Sequence, residues 1–225
     1  MPAPQRIPRP PNARPGGPPP WATLAPEQLR GIGLGRVRAA LRTVGPADPL
    51  PVLPYEGAPA AVLIALFEED GETRVVLTRR SPNLRTHTHQ VSFPGGRLDS
   101  DESPLDAALR EASEEVGLAP GQVEIVGQLP PLSTLSGKSH ITPFVGVLPG
   151  RPALVPNPHE VEHAFDVALC ELLTEDVYRE ERWDTEFGTD WPMHFFHLAD
   201  DIVWGATARI LHELLELVTL SGRPS

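Results

Sequence analysis

Strand-like and helical patterns alternate along this 225-residue chain, and the fold class they predict is α/β or α+β. Two observations carry that expectation. Ala61–Phe67 and Arg74–Thr78 are apolar runs joined around Asp70-Gly71, a pair favoured in two-residue hairpin turns. Pro104–Val116 repeats apolar residues at helical spacing between a good N-cap and a glycine. With 40% hydrophobic and 22% charged residues the composition supports a buried core, and the length suits one domain with appendages.

In chain order, the first twenty residues are dominated by proline, which removes backbone donors and fixes φ; they read as an extended tail. The segment carries Arg without acids but has no apolar h-region, so it is not read as a targeting signal. Ala25–Val44 spaces Leu29, Ile32, Val37, Leu41 and Val44 as a weak helix or two short ones, interrupted by Gly31, Gly33 and Gly35. Gly45–Gly57 is a proline-rich linker. The expected division is therefore 1–24 as an extension, 25–58 as a helical segment with linker, and 59–222 as the main domain. Beyond the hairpin, Val123–Leu129, Ile141–Leu148 and His194–Leu198 are expected as strands, and Leu169–Tyr178 and Ile202–Leu220 as helices.

The helix at 104–116 is delimited by local chemistry. Ser103 suits the N-cap, Pro104 the first helical position, Asp106 a capping box and Gly117 the left-handed C′ position. Leu105, Ala108, Leu109, Ala112 and Val116 form its core-facing stripe. Glu111, Glu114 and Glu115 stand at i, i+3 and i+4 on another face, where like charges near a helix C-terminus are unfavourable. A positive partner is required: Arg110 is adjacent, and an oxygen-only carboxylate cluster also suits Mg²⁺ or Mn²⁺. A solvated acidic face is the alternative.

The net charge of −11 argues against a broad electrostatic footprint for nucleic acid or an anionic membrane. The longest apolar run, Ala60–Phe67, is far short of the roughly 20 residues that span a bilayer. The single Cys170, in an apolar context, excludes an internal disulfide and a thiolate zinc finger, and fits a reducing cytoplasm. His87 and His89 at i, i+2 offer a weak zinc pair, but the hard carboxylates favour Mg²⁺.

Gly96, Glu102, Arg110-Glu111, Ala112, Glu114-Glu115, Gly117 and Leu118 stand at spacings that together resemble the complete signature of the Nudix hydrolases. The resemblance implies an α/β/α sandwich around a mixed β-sheet, divalent metal binding and hydrolysis of a nucleoside diphosphate linked to another moiety. Upstream, Thr78, Arg80, Ser81, Arg85, His87, Gln90 and Phe93-Pro-Gly-Gly96 look like the extra motif of the coenzyme A pyrophosphatase branch, except that His89 stands where that branch usually has Gly. Ala168 likewise replaces a usual Pro.

That resemblance implies Glu111 and Glu115 as metal ligands, Glu114 as a further ligand or base, and a carbonyl near Gly95 in the metal's shell. Arg110 is expected to orient the glutamates, and Glu160 to serve as ligand or base from a later loop, with Glu162 as its competitor. Glu102 has a structural or a ligating role. Arg80, Ser81, Arg85, His87 and Lys138 are the expected substrate-binding residues, the arginines taking phosphate oxygens by bidentate bonds. The expected substrate is a small molecule of the coenzyme A class. Nudix hydrolases of ADP-ribose, dinucleotides or nucleoside triphosphates, and a catalytically silent nucleotide sensor, are the alternatives. Oligomeric state is left open.

Overall fold

The structure is a computed structural model, and it describes residues 5, 7–44, 57–84, 88–185 and 188–220. Its elements are β1 (Arg14–Pro15), α1 (Leu34–Leu41), β2 (Ala58–Glu69), β3 (Glu72–Arg80), β4 (Val91–Ser92), β5 (Gly95–Arg97), α2 (Pro104–Val116), β6 (Glu124–Gln128), β7 (Leu132–Ser133), β8 (Ser139–Val147), β9 (Val161–Ala168), α3 (Leu169–Leu172), β10 (Tyr178–Thr185), β11 (Gly188–His197), β12 (Ile202–Trp204) and α4 (Gly205–Leu220).

The larger sheet is mixed. Its strands run β4-β3-β2-β8-β6, with β2 and β8 parallel and the other pairs antiparallel. β2 is long enough to pair with β3 through Leu66–Glu69 and with β5 through Ala60–Val62. Both faces of β2 are buried, which is why it reads as an unbroken apolar run. Ala61, Leu63, Ala65 and Phe67 pack with Ala107, Ala108, Ala112 and Val116 of α2. Ile64 and Leu66 point the other way, into the core shared with Val37 and Leu41 of α1 and Leu211, Leu214 and Leu215 of α4. The result is a sheet between two helical layers. Asp70 (φ 53°) and Gly71 (φ 79°) close the β2–β3 hairpin with the two positive φ angles of a type I′ turn.

α2 has the bounds its caps predict. The Ser103 hydroxyl accepts the Asp106 N–H at 3.1 Å, and Gly117 turns left-handed at φ 74°. The capping box is incomplete, because the Asp106 carboxylate accepts a hydrogen bond from the Ser103 hydroxyl at 2.6 Å.

Several expectations are corrected. Leu169–Tyr178 is helical only to Leu172, since Tyr178 finds a ladder partner in Phe196 and begins β10. Ile202–Trp204 pairs with β11, and α4 begins at Gly205, whose φ of +66° breaks the chain direction between strand and helix. Ala25–Val44 holds a 3₁₀ turn at Pro26–Leu29 and then α1.

The largest correction concerns the proline-rich N-terminus, which is packed where it is described. β1 lies on the edge of a second, antiparallel sheet ordered β1-β10-β11-β12. An edge strand tolerates proline, because its missing donor is not needed there. Ile7 and Ala13 pack against Trp183, Met193 and Phe195 of that sheet. Trp21, 1% exposed, packs its ring at 5.2 Å from Tyr178 and 5.5 Å from His212. Composition identified the prolines correctly but said nothing of the large apolar anchors between them.

Candidate active site

Three carboxylates converge. Glu111 and Glu115 of α2 and Glu160, just before β9, each place an oxygen within 4.8 Å of the others. The first two share a helix face because they are four residues apart. Glu160 arrives because the last-turn carbonyls of α2 have no intrahelical donors. The Asn157 N–H donates to the Glu115 carbonyl at 2.8 Å and the Val155 N–H to that of Val116 at 2.9 Å. Asn157 then accepts the Glu160 N–H at 3.0 Å, while the Ser81 N–H holds the Glu160 carbonyl at 2.8 Å.

The glycines before the helix are dictated by the same cluster. A Cβ at Gly96 would lie 2.5 Å from the Glu111 carboxylate. At Gly95 it would lie 2.4 Å from the Ala61 carbonyl oxygen and 2.6 Å from the Val62 Cα, both backbone atoms. The Gly95 N–H donates to Glu115 at 3.1 Å, so it is the amide of Gly95 that faces this carboxylate.

Arg110 organises the exposed side of the helix. Its Nε and Nη2 grip Glu102 at 2.9 and 3.0 Å, and its Nη1 reaches Glu111 at 3.0 Å and Glu114 at 3.1 Å. Those bonds, with the Asp99 N–H, hold the Glu102 carboxyl down at about 2. Glu102 therefore anchors Arg110 and is outside the carboxylate cluster. Glu114 is also outside it, with a side chain 54% exposed.

Burial makes the cluster electrostatically demanding. Glu115 is 2% exposed, and desolvation pushes its carboxyl up to about 7 against the Gly95 amide and Arg80, which favour the anion. Burial also raises Glu111, opposed by Arg110. Arg80 places Nη1 3.9 Å from Glu115, and its Nε is buried without a hydrogen-bond partner. Three hard oxygen donors around one point, two of them raised by desolvation, fit a divalent cation of the Mg²⁺ or Mn²⁺ type. The lone buried donor of Arg80 beside them fits an anionic ligand.

The other expected residues are placed as follows. Ser81 is 1% exposed, its link to the cluster being the N–H that holds the Glu160 carbonyl. Lys138 is exposed in the turn that opens β8. Arg85 and His87 lie outside the described residues, and with them the zinc pair. His89 adopts φ +59°, the left-handed conformation that glycine reaches most easily, and its Nδ1 lies 3.1 Å from Glu162.

One buried group escaped sequence reasoning. Arg79, with a side chain 1% exposed, donates to Glu162 at 2.9 Å and to Asp201. Its signal was parity: Val75 and Leu77 face the core, so Arg79 on the same side of β3 had to be buried and paired. The choice between Glu160 and Glu162 is made by a bulge. Arg79 pairs with His163 and Arg80 with Val161, so Glu162 is the extra residue and turns to Arg79 while Glu160 joins the α2 glutamates.

Comparison with known proteins places this arrangement in a family. The NUDIX domain model matches residues 57–199, and the chain belongs to the Nudix family. It is 41% identical over 160 residues to an uncharacterized Nudix hydrolase NudL of Photorhabdus laumondii, covering 71% of this chain and 84% of that protein. It is 38% identical over 182 residues to the chloroplastic Nudix hydrolase 22 of Arabidopsis thaliana, covering 77% of this chain and 60% of the plant protein. Among solved structures, a MutT/nudix family protein from Enterococcus faecalis superposes with a TM-score of 0.52 at 17% identity, over 74% of this chain and 63% of that one, which is a likeness of fold. Among the described residues no helix is long and apolar enough to cross a membrane.

Proposed function

We propose that this protein is a divalent-metal-dependent pyrophosphohydrolase that cleaves coenzyme A or a derivative with water into 3′,5′-ADP and 4′-phosphopantetheine. The observation that carries the reading is the convergence of Glu111, Glu115 and Glu160 beside the unpartnered Nε of Arg80. The coenzyme A class rests on the Thr78–Gly96 motif, which runs from the end of β3 into the cluster.

In this reading Glu111, Glu115 and Glu160 would hold Mg²⁺ or Mn²⁺, a carbonyl near Gly95 would complete the shell, and the Gly95 N–H steadies Glu115. The ion supplies electrophilic activation of the bridging phosphates and acidifies water near neutral pH. Arg80 binds phosphate oxygens through a planar fork of donors, and the sequence motif alone adds Arg85 and His87 as further substrate-binding residues. Ser81 and Lys138 complete the proposed substrate-binding set, and the Ser81 N–H also holds the Glu160 carbonyl. Arg110 keeps Glu111 oriented by anchoring itself on Glu102. Glu114, bound to Arg110 at the rim, is the candidate base where Glu160 is taken up as a ligand. The acidic chain, net −11, suits a small-molecule substrate brought in with cations better than nucleic acid or a membrane, and one cysteine suits a reducing cytoplasm.

The test is incubation of the purified protein and its Glu115→Gln variant with Mg²⁺ or Mn²⁺ and coenzyme A, ADP-ribose, NADH or nucleoside triphosphates, with products identified by mass. Release of 3′,5′-ADP and 4′-phosphopantetheine, lost in the variant, is the expected result. Turnover of another member reassigns the substrate, and binding without turnover makes the protein a sensor.

A further inference from the structure

Six residues from distant parts of the sequence close a ring of contacts beside the site. The Gln5 Nε2 donates to the His89 carbonyl at 2.7 Å, and the His89 Nδ1 lies 3.1 Å from Glu162. Arg79 donates to both Glu162 and Asp201. The next residue, Ile202, closes the ring by donating its N–H to the Gln5 Oε1 at 2.6 Å. One side-chain amide thus does what a strand backbone would do, donating on one side and accepting on the other.

The ring bears on Arg80 through the peptide that Gln5 holds. The His89 N–H donates to the Arg80 carbonyl at 3.1 Å, and the Arg80 N–H donates to the Gln90 carbonyl at 2.9 Å. Arg80 is therefore fastened at both of its backbone groups by the turn whose outer carbonyl Gln5 grips. That turn needs holding, because His89 sits at φ +59°, where a side chain costs about 1 kcal/mol relative to ordinary backbone.

We infer that Gln5, which lies outside the stretch matching the Nudix model, is a positioning residue for Arg80: it fixes the His89 turn and so aims the guanidinium at the anion site. The inference rests on the reading of Arg80 as a phosphate binder. It makes the N-terminal segment a working part of the site.

A double-mutant cycle tests it. Gln5→Glu keeps the acceptor for Ile202 but replaces the donor to His89 by an anion; Gln5→Ala removes both. Each is combined with Arg80→Ala, and the affinity for inorganic pyrophosphate with Mg²⁺ is measured by calorimetry, alongside KM and kcat on whichever pyrophosphate the enzyme turns over. Each Gln5 variant is expected to weaken pyrophosphate binding roughly tenfold, the loss of one strong contact, and to raise KM with kcat held within about twofold. In the Arg80→Ala background the same change is expected to have no further effect. Equal weakening in both backgrounds, or none in either, overturns the inference and leaves the hydrolase reading standing. A wild-type protein that binds no pyrophosphate and turns over no member of the substrate panel overturns both.

Discussion

Replacing Glu115 by Gln is expected to stabilise the metal-free protein at alkaline pH while abolishing its response to metal. The carboxyl is 2% exposed, and burial raises it from the ordinary 4.5 to about 7. Below pH 4.5 both folded and unfolded chains hold the proton, so the group favours neither. Between 4.5 and 7 the unfolded chain has released its proton and the folded chain has kept it. Stability then falls with rising pH by about 1.4 kcal/mol per unit. The full loss is about 3 kcal/mol, of which about 2 kcal/mol falls between pH 5.5 and 8.5.

Glutamine has no proton to lose, so the variant lacks this slope. Urea denaturation followed by tryptophan fluorescence, in EDTA at the two pH values, is the assay. The stability of Glu115→Gln relative to wild type is expected to rise by about 2 kcal/mol from pH 5.5 to 8.5, other titrating groups cancelling in the difference. Adding Mg²⁺ is expected to restore wild-type stability at pH 8.5, where the folded carboxyl is already ionised, and to leave the variant unmoved. A stability difference that is flat with pH, or that falls, would refute the account of Glu115 as a desolvated carboxylate awaiting a cation.

Adjacent glycines should fail differently. Gly96→Ala meets only the movable Glu111 carboxylate, so metal affinity, read by Mn²⁺ resonance, is expected to drop at least tenfold with folding stability changed by under about 1 kcal/mol. Gly95→Ala meets backbone and is expected to cost about 3 kcal/mol or more in the same denaturation assay. Trp21→Ala should cost about 3–5 kcal/mol if the N-terminal segment is packed as described; a free tail would lose nothing. Asp201→Ala strands part of the buried Arg79 charge and is expected to cost about 3–5 kcal/mol, whereas a change below about 1 kcal/mol would show that Arg79 is solvated in solution.

What the sequence determined by itself is what depends on near neighbours. The Ser103 and Gly117 caps set the ends of α2, Asp70-Gly71 set the hairpin, and the four-residue spacing put Glu111 and Glu115 on one face, because each of these depends on backbone geometry within a turn or two of chain. The strand at 202–204 was misread for the complementary reason: its apolar residues serve a helix or a strand equally, and only the partner at Phe195–His197 decides between them.

Tertiary structure alone decided the rest. Whether Glu160 or Glu162 joins the α2 glutamates depends on one bulged residue between β3 and β9, since a single extra residue turns a side chain to the opposite face. The packing of a proline-rich N-terminus depends on whether a sheet edge and an aromatic pocket lie within its reach, here β10 for Arg14–Pro15 and Tyr178 with His212 for Trp21. Gln5 acquires its role in the same way, from two backbone groups 84 and 197 residues distant that the fold brings to either side of one amide.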